Sequence, residues 1–122
     1  MELRCVIVDD SPRFLNAARG LLEREGISVV GVASTGAEAV DRVTELRPDV
    51  TLVDIDLGGL SGFDVVRRLY READMGPTPV ILISAHSEED YADLIAASRA
   101  VGFLPKTTLS GQAIRDLLGA AG

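Results

Sequence analysis

Polar residues with chemical potential stand where apolar runs stop. Asp9 and Asp10 follow the run 5–8, Asp54 closes 50–54 with Asp56 two residues on, Ser84 ends 79–84, and Lys106 follows Pro105 after the run 102–104. Clustered carboxylates repel one another, and burial without compensation would raise their pKa values. A hard cation resolves that conflict. Mg²⁺ suits a small number of carboxylates, keeps several waters and often shares its shell with a phosphate. The Lys106 ammonium and the Ser84 hydroxyl supply what a phosphoryl group binds, a point charge and a hydrogen-bond donor. A carboxylate can itself be the nucleophile and form an aspartyl phosphate. In such transfers the protein mainly positions groups and neutralises charge. The set therefore reads as a magnesium-assisted phosphoryl acceptor, provided that its members converge.

Convergence depends on the elements that carry them. Ser11-Pro12 suits a helix start, and Phe14, Ala18, Leu21 and Leu22 keep helical spacing up to Gly26. The run 29–33 reads as a second strand. Thr35 with Glu38 has capping-box spacing, and the helix it opens ends before Pro48. Ser61 opens a helix with Val65, Val66 and Leu69, whose Arg67, Arg68 and Arg71 read as a solvated face. Ser87 with Asp90 gives another capping signal before Leu94, Ile95 and Ala97, and Ser110 caps a last helix with Ile114, Leu117 and Leu118. The order is strand then helix, five times over. The third and fourth strands are apolar at successive positions, the pattern of strands covered on both faces. The expected fold is a doubly wound, three-layer (βα)5 sandwich around a five-stranded parallel sheet. Such folds place their sites at the carboxyl ends of the strands, which brings all the polar residues to one edge.

Composition narrows the classes. The 122 residues suit one domain, and at this length roughly two thirds of the unfolded surface can be buried. Apolar residues make up 47% but aromatics only 4%, so the core must be aliphatic. The net charge of −7 argues against a binder of nucleic-acid phosphates. The single cysteine, Cys5, allows no internal disulfide and reads as a buried thiol. No apolar run reaches the ~18 residues that span a membrane, and no signal-peptide pattern opens the chain. A cytoplasmic location is expected.

Four segments, "VIVDDSP", "PDVTLVDIDLGGLSG", "PVILISAHS" and "GFLPK", occur in the order and spacing of the bacterial response-regulator receiver domain. The chain resembles that family over essentially its whole length, which implies a single receiver domain over 1–122 without an output domain. The resemblance implies the strand order 2-1-3-4-5. It implies that Asp54 accepts a phosphoryl group from a partner histidine kinase, and that Asp10, Asp54 and the Asp56 carbonyl ligate Mg²⁺ while Asp9 acts mostly through water. It makes Ser84 the switch hydroxyl, Lys106 the phosphoryl-contacting lysine, and Phe103 the rotating aromatic of a signalling face built from the fourth helix, fifth strand and fifth helix. A homodimer through that face, or an output partner, would read the state. The Asp56 side chain is a candidate tuner of phosphoryl lifetime. His86 is either an exposed loop residue or a contact for the water that removes the phosphoryl group. The resemblance implies a switch with slow self-dephosphorylation, not a turnover enzyme. "SGFDVVRRL" and "GFLPKTTLS" lean toward the subfamily that often carries helix-turn-helix output domains.

One departure stands out. The family often has Met-Pro where this chain has Leu57-Gly58, and the Gly58-Gly59 pair is expected to loosen the loop. Taken singly, the motifs have plainer readings: Asp9-Asp10 as a turn and helix cap, Asp54 as a solvated strand end, Lys106 as a surface lysine. Two other classes compete. Asp54-Ile-Asp56 resembles the nucleophile motif of haloacid-dehalogenase-type phosphatases, but those place it on the first strand and prefer Thr or Val where Gly58 stands. A flavodoxin-like cofactor protein would need a phosphate-cradling loop after the first strand, where Asp9-Asp10 has the wrong charge.

Overall fold

Runs of valine, isoleucine and leucine build the sheet. A computed structural model of the chain describes residues 3–73 and 79–121. Among these the order is β1 (Leu3–Val8), α1 (Pro12–Arg24), β2 (Ile27–Ala33), α2 (Gly36–Leu46), β3 (Val50–Asp54), α3 (Gly62–Glu72), β4 (Val80–Ser84), α4 (Ala92–Ala97), β5 (Gly102–Pro105) and α5 (Gly111–Ala121). The strands are all parallel and lie in the order β2-β1-β3-β4-β5. The expected doubly wound α/β fold is thus the observed one.

Burial follows the sequence pattern. Every residue of β3 and β4 is buried, whereas edge strand β2 alternates buried and half-buried positions. Side chains from the sheet feed two cores. Val6, Val8, Val53 and Leu82 pack with Ala39 and Val43 of α2 and with Phe63, Val66 and Leu69 of α3. Ile7, Leu52, Ile81 and Ile83 pack on the other face with Ala18 and Leu22 of α1 and Ile114 of α5.

The helix starts are set by hydroxyls. Ser11 Oγ accepts from Phe14 N at 3.2 Å, Thr35 Oγ1 from Glu38 N at 3.1 Å, Ser61 Oγ from Phe63 N at 3.1 Å and Ser110 Oγ from Ala113 N at 3.0 Å. Each satisfies a backbone donor that the helix leaves unpaired. The box at Thr35 closes one residue early: Glu38 Oε1 accepts from Ser34 N and Ser34 Oγ. On the expected arginine face Arg67 and Arg71 are exposed and Arg68 is half-buried, with Arg67 paired to Asp64, and Arg68 and Arg71 to Glu72.

Several boundaries differ from the sequence reading; β1 starts at Leu3, two residues before the run 5–8. β2 starts at Ile27 because Ile27 and Ser28 pair with Leu3 and Arg4. β5 continues through Pro105, which stands opposite Ser84. The helix expected after Ser87 is a 3-10 turn, Glu88–Tyr91, followed by only six residues of α4. Ser87 Oγ lies 3.3 Å from Asp90 Oδ2 and makes no capping bond to the backbone. Alanines fill positions 92, 96 and 97, so α4 has little apolar area to bury, and none of its residues is buried.

Candidate functional site

The sheet delivers its polar ends to one edge. Asp9 N donates to Ala33 O at 2.9 Å, which carries the pairing of β1 one residue past the strand. The Asp9 side chain is consequently fully buried, and its Oδ1 accepts from Ser11 N at 2.8 Å. Asp10, next in the chain, is exposed. Asp54 ends β3 opposite Ile83 and is only 4% exposed. Its Oδ1 accepts from Asp56 N at 3.1 Å and its Oδ2 from Lys106 Nζ at 3.1 Å. Lys106 Nζ also lies 2.6 Å from Asp9 Oδ2, so one ammonium joins two buried carboxylates at the ends of different strands.

Sequence reasoning gave Phe14 a place on the first helix but not at the site, yet its ring centroid lies 4.3 Å from Lys106 Nζ. The only cue was its position one turn into the helix after Ser11-Pro12. An aromatic face there holds the ammonium by its quadrupole.

Asp9, Asp10 and Asp54 each present a carboxylate oxygen, and these oxygens all lie within 4.8 Å of one another. Asp9 Oδ2 is buried and, apart from its ion pair with Lys106, has no hydrogen-bond donor among the described residues. Three hard oxygens with one buried and under-satisfied form a donor set that fits a small divalent cation.

Burial and the neighbouring charges act on the two central groups in opposite directions. Burial pushes the Asp54 carboxyl up; the Asp56 N–H holds it down, Asp9's charge raises it and Lys106 lowers it, leaving it at about 6. Burial would lower the Lys106 ammonium, but the hydrogen bond and charge of Asp9 and Asp54 outweigh that and raise it.

The loop after β3 holds a correction. Gly58 and Gly59 have φ of +52° and +98°, Leu57 N bonds to Leu60 O at 3.0 Å, and Leu60 N returns to Leu57 O at 3.4 Å. Positive φ at both central residues is the tight two-residue pattern of a type I′ turn. An Asp56–Ser61 antiparallel bridge flanks it. The glycines therefore close the loop; they do not loosen it. Gly62, which sequence reasoning passed over, is as constrained: a Cβ there would sit 2.2 Å from Asp54 O and 2.7 Å from Ile55 Cα. Its place at the start of a helix directly after the acidic loop was the available signal.

The remaining candidates are placed as follows. Ser84 is fully buried beside the cluster at the end of β4, and its Oγ accepts from His86 N at 3.0 Å. Asp56 is exposed and meets Asp54 through its N–H, so the two acids are not a matched pair. His86 is exposed, with its ring edge-on to Tyr91 at 6.4 Å. Phe103 is 7% exposed and packs into the core on the α2 and α3 side.

A parallel 2-1-3-4-5 sheet with an acidic cluster and a lysine at its strand ends defines a class of signalling domain. The chain matches the response regulator receiver domain over residues 5–118 and belongs to that family. It is 32% identical to the DNA-binding transcriptional activator EvgA of Escherichia coli over 85% of this chain and 50% of EvgA. It is 36% identical to a protein-glutamate methylesterase/protein-glutamine glutaminase of Alkalilimnicola ehrlichii over 87% of this chain and 27% of that protein. The chain thus spans half or less of these relatives. Among solved structures, the signal receiver domain of the response regulator NarL from Mycobacterium tuberculosis is 32% identical with a TM-score of 0.78, covering 98% of this chain and 96% of that one. The response regulator domain of Thermotoga maritima CheB is 30% identical with a TM-score of 0.77, covering 99% and 94%. Receiver domains of this family are two-component signalling switches and are generally not enzymes themselves. Among the described residues no helix is long and apolar enough to cross a membrane.

Proposed function

We propose that the chain, a receiver domain over 1–122, is a phosphorylation-controlled switch that takes one phosphoryl group onto Asp54 from a partner histidine kinase. The observation that carries this is the Asp54 carboxylate: buried, held at Oδ1 by the Asp56 N–H and at Oδ2 by Lys106, and grouped with Asp9 and Asp10. An Asp54 oxygen attacks the phosphorus of a phosphohistidine. The P–N bond breaks, and its electron pair leaves with the imidazole, which takes up a proton. Asp10, Asp54 and the Asp56 carbonyl would hold Mg²⁺, with Asp9 acting through water, and the cation supplies charge neutralisation at the phosphoryl oxygens.

Lys106 already stands beside the acceptor, so it follows the phosphoryl group with little motion. Ser84 must move more. Its Oγ now accepts from His86 N, and its hydroxyl hydrogen is free to turn toward new phosphoryl oxygens. That turn pulls on the segment after β4. Phe103, buried inward, then changes its packing on the α4-β5-α5 face, which an output partner or a second copy would read. Asp56 and His86 are exposed and bond through their N–H groups to Asp54 and Ser84, which supports a role for them in tuning access of the hydrolytic water. One transfer per chain makes this a switch and not a catalyst.

Intact-mass analysis after incubation with a small phosphodonor and Mg²⁺ tests the proposal. One added phosphoryl group is expected in the wild type and none in Asp54→Asn. Full-yield phosphorylation of Asp54→Asn overturns it.

A further inference from the structure

The two turn glycines look alike in the sequence but face different surroundings. Gly58 and Gly59 both have positive φ, which the I′ turn demands of each. A Cβ at Gly59 would meet nothing within 4 Å. A Cβ at Gly58 would lie 2.7 Å from Asp10 Oδ2, with the next nearest atom, Asp10 Cγ, at 4.0 Å. The first distance is well inside van der Waals contact.

We propose that Gly58 is a positioning residue for the metal-binding carboxylate of Asp10, the missing side chain leaving the space that this carboxylate occupies where it joins those of Asp9 and Asp54. The inference rests on the reading of those three aspartates as a Mg²⁺ site. It gives the Leu57-Gly58 departure a physical content: turn geometry alone would accept asparagine or aspartate at 58, but the approach of Asp10 accepts no Cβ in this conformation.

The consequence of the contact with Asp10, as distinct from the strain of positive φ, falls on binding. Asp10 is exposed, and Oδ2 is the far end of its side chain. A methyl at 58 would therefore turn the carboxylate out into water, a cheap motion, and take one oxygen from a set that now lies within 4.8 Å. The strain of a side chain at positive φ is common to both glycines, so Gly59 is an internal control for it.

Calorimetric titration of the full chain with MgCl₂ tests this, with thermal unfolding run on the same samples. Gly58→Ala is expected to weaken Mg²⁺ binding by ~10-fold or more, the size seen when a group that orients a metal ligand is disturbed. Gly59→Ala should stay within about twofold of wild type while losing at least as much thermal stability. Gly58→Asn carries the same Cβ with less strain and should weaken Mg²⁺ binding with a smaller drop in Tm. In an Asp10→Ala background, Gly58→Ala should produce no further loss, because the group it displaces is gone. Wild-type affinity in Gly58→Ala, equal losses in the two alanine variants, or an undiminished effect in the Asp10→Ala background would each overturn the proposal. A wild type that binds no Mg²⁺ overturns instead the metal-site reading beneath it.

Discussion

The loops that follow β3 and β4 leave the sheet from adjacent strands, yet they are held in different ways. After β3, Ile55 N continues the pairing to Ile83 O at 2.9 Å, Gly62 N returns to Ile55 O at 2.7 Å, and Leu57 is buried inside a turn closed at both ends. After β4, no residue from 85 to 98 is buried, and Leu94 is 55% exposed. A groove of about 590 Å³ separates α3 from α4, floored by Phe63 and Val66 and rimmed by Arg67, Arg71 and Arg99. Apolar burial is what makes local opening costly. The first loop is fixed by it and by its backbone bonds. The second has little to lose by moving.

That difference fits the division of labour proposed for the site. The acceptor must be presented in one geometry, and Asp54 stands at the strand end from which the fixed loop leaves. The element beside it must respond to a charge, and Ser84 leads into the loosely packed one. A small differential interaction can shift such an element between states.

The largest effect that would break the comparison is at Gly62. Its substitution by alanine places a Cβ against backbone on both Asp54 and Ile55, which a side-chain rotation cannot relieve. Gly62→Ala is expected to cost on the order of 3 kcal/mol or more, visible as a fall in Tm of roughly 10 °C. An unchanged Tm would show that the β3 loop is not fixed as described. Next comes a matched pair of leucines, one on α3 and one on α4. Leu69, fully buried on α3, should cost about 3 kcal/mol when cut to alanine, and Leu94 on α4 at most ~0.5 kcal/mol. Similar losses in urea unfolding would erase the contrast.

A smaller effect sharpens the electrostatic side. The Asp54 pKa is raised from 3.8 to about 6, so the folded state holds this proton where the unfolded state has released it. Stability therefore falls as pH rises through the window from about 4 to 6, and the cost of the buried charge is complete above it. In Mg²⁺-free buffer, Asp54→Asn is expected to stabilise the fold at pH 7.5 by on the order of 2 kcal/mol. The gain should shrink as pH falls through that window. A destabilised Asp54→Asn at neutral pH would contradict the cost assigned to the buried charge.

Much of this was legible in the residues because local rules and the global fold agree. β3 spans Val50–Asp54, where a run that is apolar apart from Thr51 stops at a carboxylate, and the hydroxyls of Ser11, Thr35, Ser61 and Ser110 cap the helices they precede. The segment after β4 misled because Ser87 and Asp90 have capping spacing but contact each other through their side chains. Gly58-Gly59 misled because freedom to adopt positive φ, read as looseness, is here used to close a turn. The contacts of Lys106 with Asp9, Asp54 and Phe14 join β5 to β3, β1 and α1, and only the strand order and register bring them together.

The central claim is that a fixed acceptor loop drives a loosely held neighbour. Backbone amide NMR of the uniformly labelled chain, before and after phosphorylation with a small phosphodonor and Mg²⁺, tests it most directly. The account predicts shift changes around Asp54 and through residues 84–106, with α1 and α2 beyond the site unchanged. Changes confined to residues 54–62, or spread evenly over all five helices, would contradict it.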